Sequence, residues 1–444
     1  MFEFEGNSQG HLMVGGMDTM DLVRQYGTPL WVYDETMIRR RCREYMENFR
    51  QHWPDFRIIF AGKAFLCKAM CRLIMQEGLC LDVVSGGELH TALQAGFPAD
   101  RIWFHGNNKT APEIEMALKA GVERIVVDSF NELALVERVA ESLHEVARVQ
   151  LRITPGIKPS THSYISTGQI DSKFGFSIAH DIARDAVLRA HTSNRIELKG
   201  LHCHIGSQIY ELESFAVAAR MMVEFMQGLA RDHGVTFEEL NMGGGLGIRY
   251  LAGDQPPSVA AYVQRLTDAV RTAWGTETPL PRLMVEPGRS LVGETGITLY
   301  RVGTVKEIPT IRTYIAVDGG MNDNPRVALY QAKYQAVLAN KYTAKADETV
   351  SISGRCCETG DMLVWDASLP AVDEGDVVAL FSTGAYHHSM ASNYNRLPRP
   401  PVVFVSDGHA TIVVEGETYD DLVRHDRVPA HLAAEAPPSA AARR

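Results

Sequence analysis

Short apolar, β-branched runs recur through the first two-thirds of this chain, each separated from the next by enough residues for a helix. They are RIIFAGKA from Arg57, CLDVVS from Cys80, IWFHG from Ile102, RIVVDS from Arg124, VQLRITP from Val149, LKGLHCHIG from Leu198, ELNMGGG from Glu239 and RLMVEPGR from Arg282. About eight such runs is the number a (β/α)8 barrel requires. The stretches between them, such as FNELALVERVAESLHEVA from Phe130, carry the spacing of amphipathic helices. Strands that are apolar throughout, alternating with helices, predict a parallel sheet covered on its outside. An open doubly wound sheet is the competing architecture.

After Arg289 the pattern changes. GITLYRVGTVKEI, TYIAVDGG, ETVSISG, DVVALFSTGAY and PPVVFVSDGHATIVVEG read as strands joined by short turns with little helix between them. The expected organisation is an α/β barrel of the TIM type over residues 36–289, followed by a β-sandwich or β-barrel domain over residues 290–428. Residues 1–35 are expected to pack with that β domain. The alanine- and proline-rich tail, residues 429–444, lacks aromatics and reads as disordered.

A length of 444 residues suits about two domains, and 45% hydrophobic with 22% charged residues is ordinary for a globular enzyme. The net charge of -10 argues against nucleic acid as a partner. Seven cysteines without a CxxC pair suggest free thiols in a reducing compartment, and Cys67 and Cys71 read as packing residues on one helical face. The N-terminus lacks a basic start followed by an apolar stretch, and no apolar run is long enough to cross a membrane. A cytoplasmic protein is expected.

In a barrel the C-terminal ends of the strands share one rim, and the polar residues of these runs collect there: Lys63, Asp82, Ser85, His204, the Gly243 to Gly245 triplet, Glu286 and Arg289. Lys63 follows an apolar run between Gly62 and Ala64. Partial desolvation there would lower its pKa and favour the uncharged amine that imine chemistry needs, although a solvated surface lysine is the ordinary reading. NMGGGLG, Asn241 to Gly247, brings bare backbone N–H groups to the rim and can cradle a phosphate, or it is a structural turn. Ile248 breaks a dinucleotide fingerprint, and GKAF lacks the other residues of a phosphate-binding P-loop. Arg289 adds a fixed cation suited to phosphate or carboxylate. Glu286 either pairs with Arg289 or contacts a protonated heterocyclic nitrogen.

His202 and His204 alternate, so they would face one side of a strand. As metal ligands they would suggest an amidohydrolase, but that site needs further histidines and an aspartate on later strand ends, which NMGGG and VEPGR do not supply. A stacked imidazole over a flat cofactor, with Ser207 free to bond a phosphate, uses the same residues better. A lysine for an imine, a phosphate cradle, an acid for a ring nitrogen and a platform for the ring together describe a pyridoxal 5'-phosphate site, with no metal.

Longer strings carry a resemblance. GGMD, YGTPLWVYDE, FAGKAF, LDVVSGGEL, THSYISTGQIDSKFG, HCHIGSQ, MGGGLG, EPGR, DGGMNDNPRVALY, GRCCETGD and GAYHHSMASNYNRLPRP occur in this order between about Gly15 and Val405. In them the chain resembles the diaminopimelate decarboxylases, a branch of the fold type III pyridoxal-phosphate enzymes. The resemblance implies that Lys63 is the Schiff-base lysine and that His204 stacks on the ring. It places Asp82, Ser207, Gly243, Gly244, Gly245, Glu286, Gly288, Arg289 and Tyr386 about the cofactor. Arg289, Arg326, Tyr330, Glu358 and Tyr386 would contact the substrate, with Cys357 as proton donor. The CCE segment would reach the site from a partner subunit, implying a homodimer with shared active sites. Val327 stands where many members carry proline, and Arg355 and His387 occupy variable places, which bears on fine specificity. The activity implied is decarboxylation of meso-2,6-diaminopimelate to L-lysine and CO2. Its rivals are decarboxylation of a related diamino acid or carboxylated polyamine, an amino-acid racemase, and a non-enzymatic binding protein derived from the fold.

Overall fold

The computed structural model describes residues 2–157, 172–276 and 279–433. Eight strands form its centre: β1 (Phe56–Ala61), β2 (Cys80–Val83), β3 (Ile102–Phe104), β4 (Arg124–Val127), β5 (Ala147–Thr154), β6 (Ile196–His202), β7 (Glu239–Asn241) and β8 (Arg282–Val285). Each pairs in parallel with the next. β8 then returns to β1, with Leu283 opposite Phe56 and Val285 opposite Ile58. The sheet is therefore a closed barrel without a free edge, and the open doubly wound alternative falls away.

Both faces of these strands are buried, which is why they read as continuous apolar runs. Outside, helices such as Phe130–Leu143 and Leu212–His233 lay Leu133, Val136, Met222, Val223 and Met226 against the sheet. Each fully buried side chain of this kind contributes about 1.5–3 kcal/mol. Inside, Ile59, Cys80, Trp103, Val126 and Met284 form a small separate cluster. Arg124 and Glu239, at the starts of β4 and β7, are paired and buried, with Nε of Arg124 donating to Oε2 of Glu239 at 2.9 Å. Gln150 donates to the same oxygen at 2.8 Å, so this end of the barrel is polar yet satisfied. Cys67 and Cys71 both pack in the main apolar core, but Cys67 stands just ahead of the helix Lys68–Gln76 instead of on its face. Its Sγ caps that helix, accepting from the Met70 N–H at 3.4 Å, while Cys71 is buried within the helix.

A second sheet follows the barrel, in the order Met362–Leu369, Glu348–Ser353, Arg312–Val317, Gly296–Ile308, Leu30–Asp34, Val402–Ser406, His409–Val414. The strand Leu30–Asp34 precedes the barrel in sequence but lies inside this sheet, antiparallel to Gly296–Ile308 and parallel to Val402–Ser406. Leu12, Val14 and Leu22 pack with Leu299 and Val403 in the core on one side of it. Asp34 ends that strand and caps the helix Glu35–His52, accepting from the Met37 N–H at 2.8 Å, and so leads the chain straight into the barrel. Residues 161–171 of the THSYISTGQIDSKFG string and residues 434–444 of the tail lie outside the described residues. Among the described residues, no helix is long and apolar enough to cross a membrane.

Candidate active site

At the C-terminal ends of the strands lies a cavity of about 190 Å³. It is lined by Lys63, His204, Ser207, Gly244, Gly245, Glu286, Gly288, Arg289, Arg326, Tyr330 and Tyr386, together with Ala61, Leu246, Ser290 and Met390. Barrel closure is what gathers residues from β1, β6, β7 and β8 about one space. Arg326, Tyr330 and Tyr386 come from the β domain, which covers this end of the barrel.

Lys63 sits in a single 3-10 turn, Gly62–Ala64, that ends β1. Gly62 and Ala64 are buried, but Lys63 is exposed. The turn takes the side chain out of the packed strand and onto the cavity lining. The turn is held from above: Tyr386 N–H donates to Ala64 O at 2.8 Å, and Ser389 Oγ to the same oxygen at 3.3 Å.

Glu286 directly follows β8 and is 6% exposed. Its Oε1 accepts from Asn241 Nδ2 at 2.7 Å, and its Oε2 pairs with His202 Nε2 at 3.0 Å. His105 Nε2 lies 2.8 Å from Oε1, in close contact but off the line of a hydrogen bond. Burial alone would raise the Glu286 pKa; His105 and His202 outweigh it and hold the carboxyl well below the ordinary range. Burial pushes His202 down to about 4, against the pull of Glu286, so its imidazole is neutral near pH 7. The expected alternative of a Glu286–Arg289 pair is not what forms. The two residues leave the end of β8 in different directions, and Arg289 begins the short helix Arg289–Val292.

The two histidines of LHCHIG also diverge, since β6 ends at His202. His202 turns to Glu286, whereas His204 Nδ1 accepts from the Gly244 N–H at 3.3 Å. Burial, and then the charge of Lys63, lower the His204 pKa well below its usual value. They are not a joint ligand pair.

The glycine triplet is required by close approach. A Cβ on Gly244 would stand 2.2 Å from the Glu286 carbonyl oxygen, and Gly243 and Gly245 have φ of 65° and 128°. Only Gly244 and Gly245 line the cavity; the Gly243 N–H is taken by Asn241 Oδ1 at 3.0 Å. Ser207 Oγ accepts from Arg289 Nε and Nη2 at 3.3 and 3.0 Å, and Arg289 also donates to the Tyr250 hydroxyl. Arg326 donates from Nε to the Tyr334 hydroxyl at 3.1 Å, and its guanidinium lies 5.0 Å from the Tyr330 ring centre and 5.2 Å from that of Tyr386. Arg289 and Arg326 are 6% and 7% exposed. Their side-chain hydrogen bonds run to hydroxyls and, from Arg326 Nη1, to the Met390 sulfur at 4.0 Å, and among the described residues none runs to a carboxylate. Two buried cations of this kind on one cavity call for anionic groups from a ligand.

Asp82, Cys357 and Glu358 are not among the lining residues. Asp82 is buried at the end of β2, its Oδ1 has no hydrogen-bond partner, and burial raises its pKa with His105 opposing. Cys357 is exposed, its N–H donating to Asn395 Oδ1 at 2.7 Å, and Glu358 is exposed beside it. Sequence reasoning missed His105, Asn241 and Tyr250. His105 was legible by the rule that found Lys63, because it directly follows β3.

The chemistry of these donors fits pyridoxal 5'-phosphate: an anionic carboxylate, a lysine amine, an imidazole, and a glycine turn beside Ser207 and Arg289. Residues 36–293 match the family described as pyridoxal-dependent decarboxylase, pyridoxal binding domain. Fold and site thus define the class of pyridoxal-dependent decarboxylases. Curated diaminopimelate decarboxylases from Halalkalibacterium halodurans and Bacillus subtilis are each 50% identical to this chain, over 95% of its length and 96% of theirs. The crystal structure of diaminopimelate decarboxylase from M. jannaschii in co-complex with L-lysine matches at a TM-score of 0.91 and 37% identity, covering 97% of this chain and 98% of that one. The chain belongs to the diaminopimelate decarboxylase family.

Proposed function

We propose that this chain converts meso-2,6-diaminopimelate to L-lysine and CO2, the last step of lysine biosynthesis, as a pyridoxal-phosphate-dependent carboxy-lyase. The observation that carries the reading is the pair of buried guanidiniums, Arg289 and Arg326, on the cavity that also holds Lys63 and Glu286. Bound pyridoxal phosphate supplies an electron sink for the bonding pair left when a carboxylate departs as CO2.

The protein's own residues do the rest. Lys63 presents its amine to the cofactor. Glu286, kept anionic by His105 and His202, holds a proton at the ring nitrogen. His204 supports the ring face, and Ser207, Gly244, Gly245 and Tyr386 receive the phosphate. Arg289 and Arg326 bind substrate carboxylates beside Tyr330. Cys357 delivers the proton that replaces CO2 at Cα, and Glu358 accepts from the distal ammonium.

Cys357 and Glu358 stand outside their own chain's cavity, which suits a homodimer in which each copy completes the other's site. The same reading takes residues 36–289 as the cofactor domain and 290–428 as the covering domain, joined by residues 1–35. Seven unpaired thiols suit a cytoplasmic setting. The test is purified protein with pyridoxal phosphate and meso-diaminopimelate, scored for L-lysine and CO2 beside Lys63→Ala. Equal CO2 release by the variant, or no lysine from the parent, refutes the proposal.

A further inference from the structure

Two loops of the β domain carry residues with opposite destinations. Residues 318–326, DGGMNDNPR, end in Arg326, which lines the cavity of its own chain. Residues 354–361, GRCCETGD, carry the exposed Cys357 and Glu358, which do not. One side chain joins them. Asp361 is 3% exposed; its Oδ1 accepts from the Met321 N–H and its Oδ2 from the Cys356 N–H, each at 2.6 Å. Its carbonyl accepts from the Gly354 N–H at 2.9 Å, and Arg355 N–H donates to Gly319 O at 3.0 Å.

The surroundings are cut to fit that carboxylate. A Cβ on Gly320 would lie 2.6 Å from Asp361 Oδ2, and one on Gly354 would lie 2.3 Å from it. Any other residue at either position would push the acid out. Cys356 Sγ adds a contact of 3.6 Å to Asn322 Oδ1, while Asn322 O accepts from the Ser392 N–H at 2.7 Å. The two loops therefore cannot shift independently, because their backbone donors share one buried acceptor whose loss leaves both unsatisfied.

We infer that Asp361 is a positioning residue that ties the Arg326 loop, serving one active site, to the Cys357 segment, serving the other. The inference rests on the shared-site dimer proposed above. Its consequence is specific. A defect at Asp361 in one subunit reaches both sites of a dimer: its own, through Arg326 and substrate grip, and its partner's, through Cys357 and proton delivery. A defect confined to Cys357 or to Arg326 reaches only one.

Doubly tagged heterodimers of the holoenzyme test this. The control mixes Arg326→Ala with Cys357→Ala subunits, each strongly impaired alone at the parent KM, the first in KM and the second in kcat; shared sites restore about half of the parent activity in the purified heterodimer. A parent/Cys357→Ala heterodimer keeps about half likewise. The parent/Asp361→Asn heterodimer is expected well below half, with two kinetic classes of site, one of raised KM and one of lowered kcat, and an unchanged cofactor absorbance band. Should Asp361→Asn not fold, Gly320→Ala, which displaces the same carboxylate, is expected to give the same pattern. A heterodimer of either variant that retains half or more of the activity at the parent KM overturns the tie. Failure of the control to complement overturns the shared-site reading itself, and the tie with it.

Discussion

Replacing His202 by asparagine should change how stability depends on pH, by an amount the structure supplies. His202 is 1% exposed, and burial moves its pKa from 6.5 to about 4 even with Glu286 beside it. Between those values the unfolded chain holds the proton and the folded chain does not, so stability falls as pH falls through that interval. At 1.36 kcal/mol per unit the loss attributable to this one group is about 3 kcal/mol. Above pH 6.5 the imidazole is neutral in both states, and the variant lacks only a hydrogen bond to Glu286, about 1–2 kcal/mol. Glu286 does not confuse the comparison in the parent protein. Its depressed pKa means that its contribution is present above the unfolded carboxyl value and is lost only at more acid pH. His204, His387 and His388, which burial also depresses, titrate in both proteins and cancel. Urea unfolding of cofactor-free protein at one concentration, near pH 7.5 and near pH 4.5, gives the difference. The variant should be less stable at the higher pH, and the gap should close or reverse at the lower. A gap that stays constant, or widens in acid, refutes the reasoning.

Gly244→Ala places a Cβ 2.2 Å from the Glu286 carbonyl and should cost about 1–3 kcal/mol while weakening cofactor binding in an absorbance titration; an unchanged affinity would count against the cradle. Glu239→Leu takes the acceptor from Arg124 Nε and from Gln150 while Arg124 keeps its ion pair with Glu123, and should cost about 1–3 kcal/mol of unfolding free energy in urea, with non-additivity when Arg124 is also replaced by leucine. Iodoacetamide near neutral pH should modify Cys357 first in the substrate-free enzyme, because it is the one exposed cysteine of the seven and burial pushes its neighbour Cys356 up to about 12; peptide mass spectra showing Cys356 modified first would contradict this. Arg326→Ala should raise KM for diaminopimelate far more than it disturbs cofactor affinity, and steady-state kinetics with an unchanged KM would remove Arg326 from the substrate site.

The barrel was legible because a parallel strand buried on both faces must be apolar along its length, and because its one polar residue tends to stand where the chain leaves the sheet. RIIFAGKAF and RLMVEPGR both follow that rule, which places Lys63 and Glu286 at one rim. The same rule covers His105, near the end of IWFHG, although no motif surrounds it. What misled was nearness in sequence. Glu286 and Arg289 look like a pair because only Pro287 and Gly288 separate them, yet the chain turns between them into a helix. His202 and His204 looked like one face of a strand, yet the strand ends at the first of them.

The sequence alone therefore determined the alternation of strand and helix, the positions of the rim residues and the change to β structure after Arg289, since each depends on local pattern and burial. Only the tertiary structure decided which groups meet. It exposed Lys63 by ending β1 in a turn, charged Glu286 through histidines from two other strands, and left Arg289 and Arg326 buried with hydroxyls as partners. It also placed Cys357 outside its own cavity, tied by Asp361 to the loop of Arg326. Pairings of this kind depend on distances across the closed barrel and its covering domain, and spacing along the chain carries no record of them.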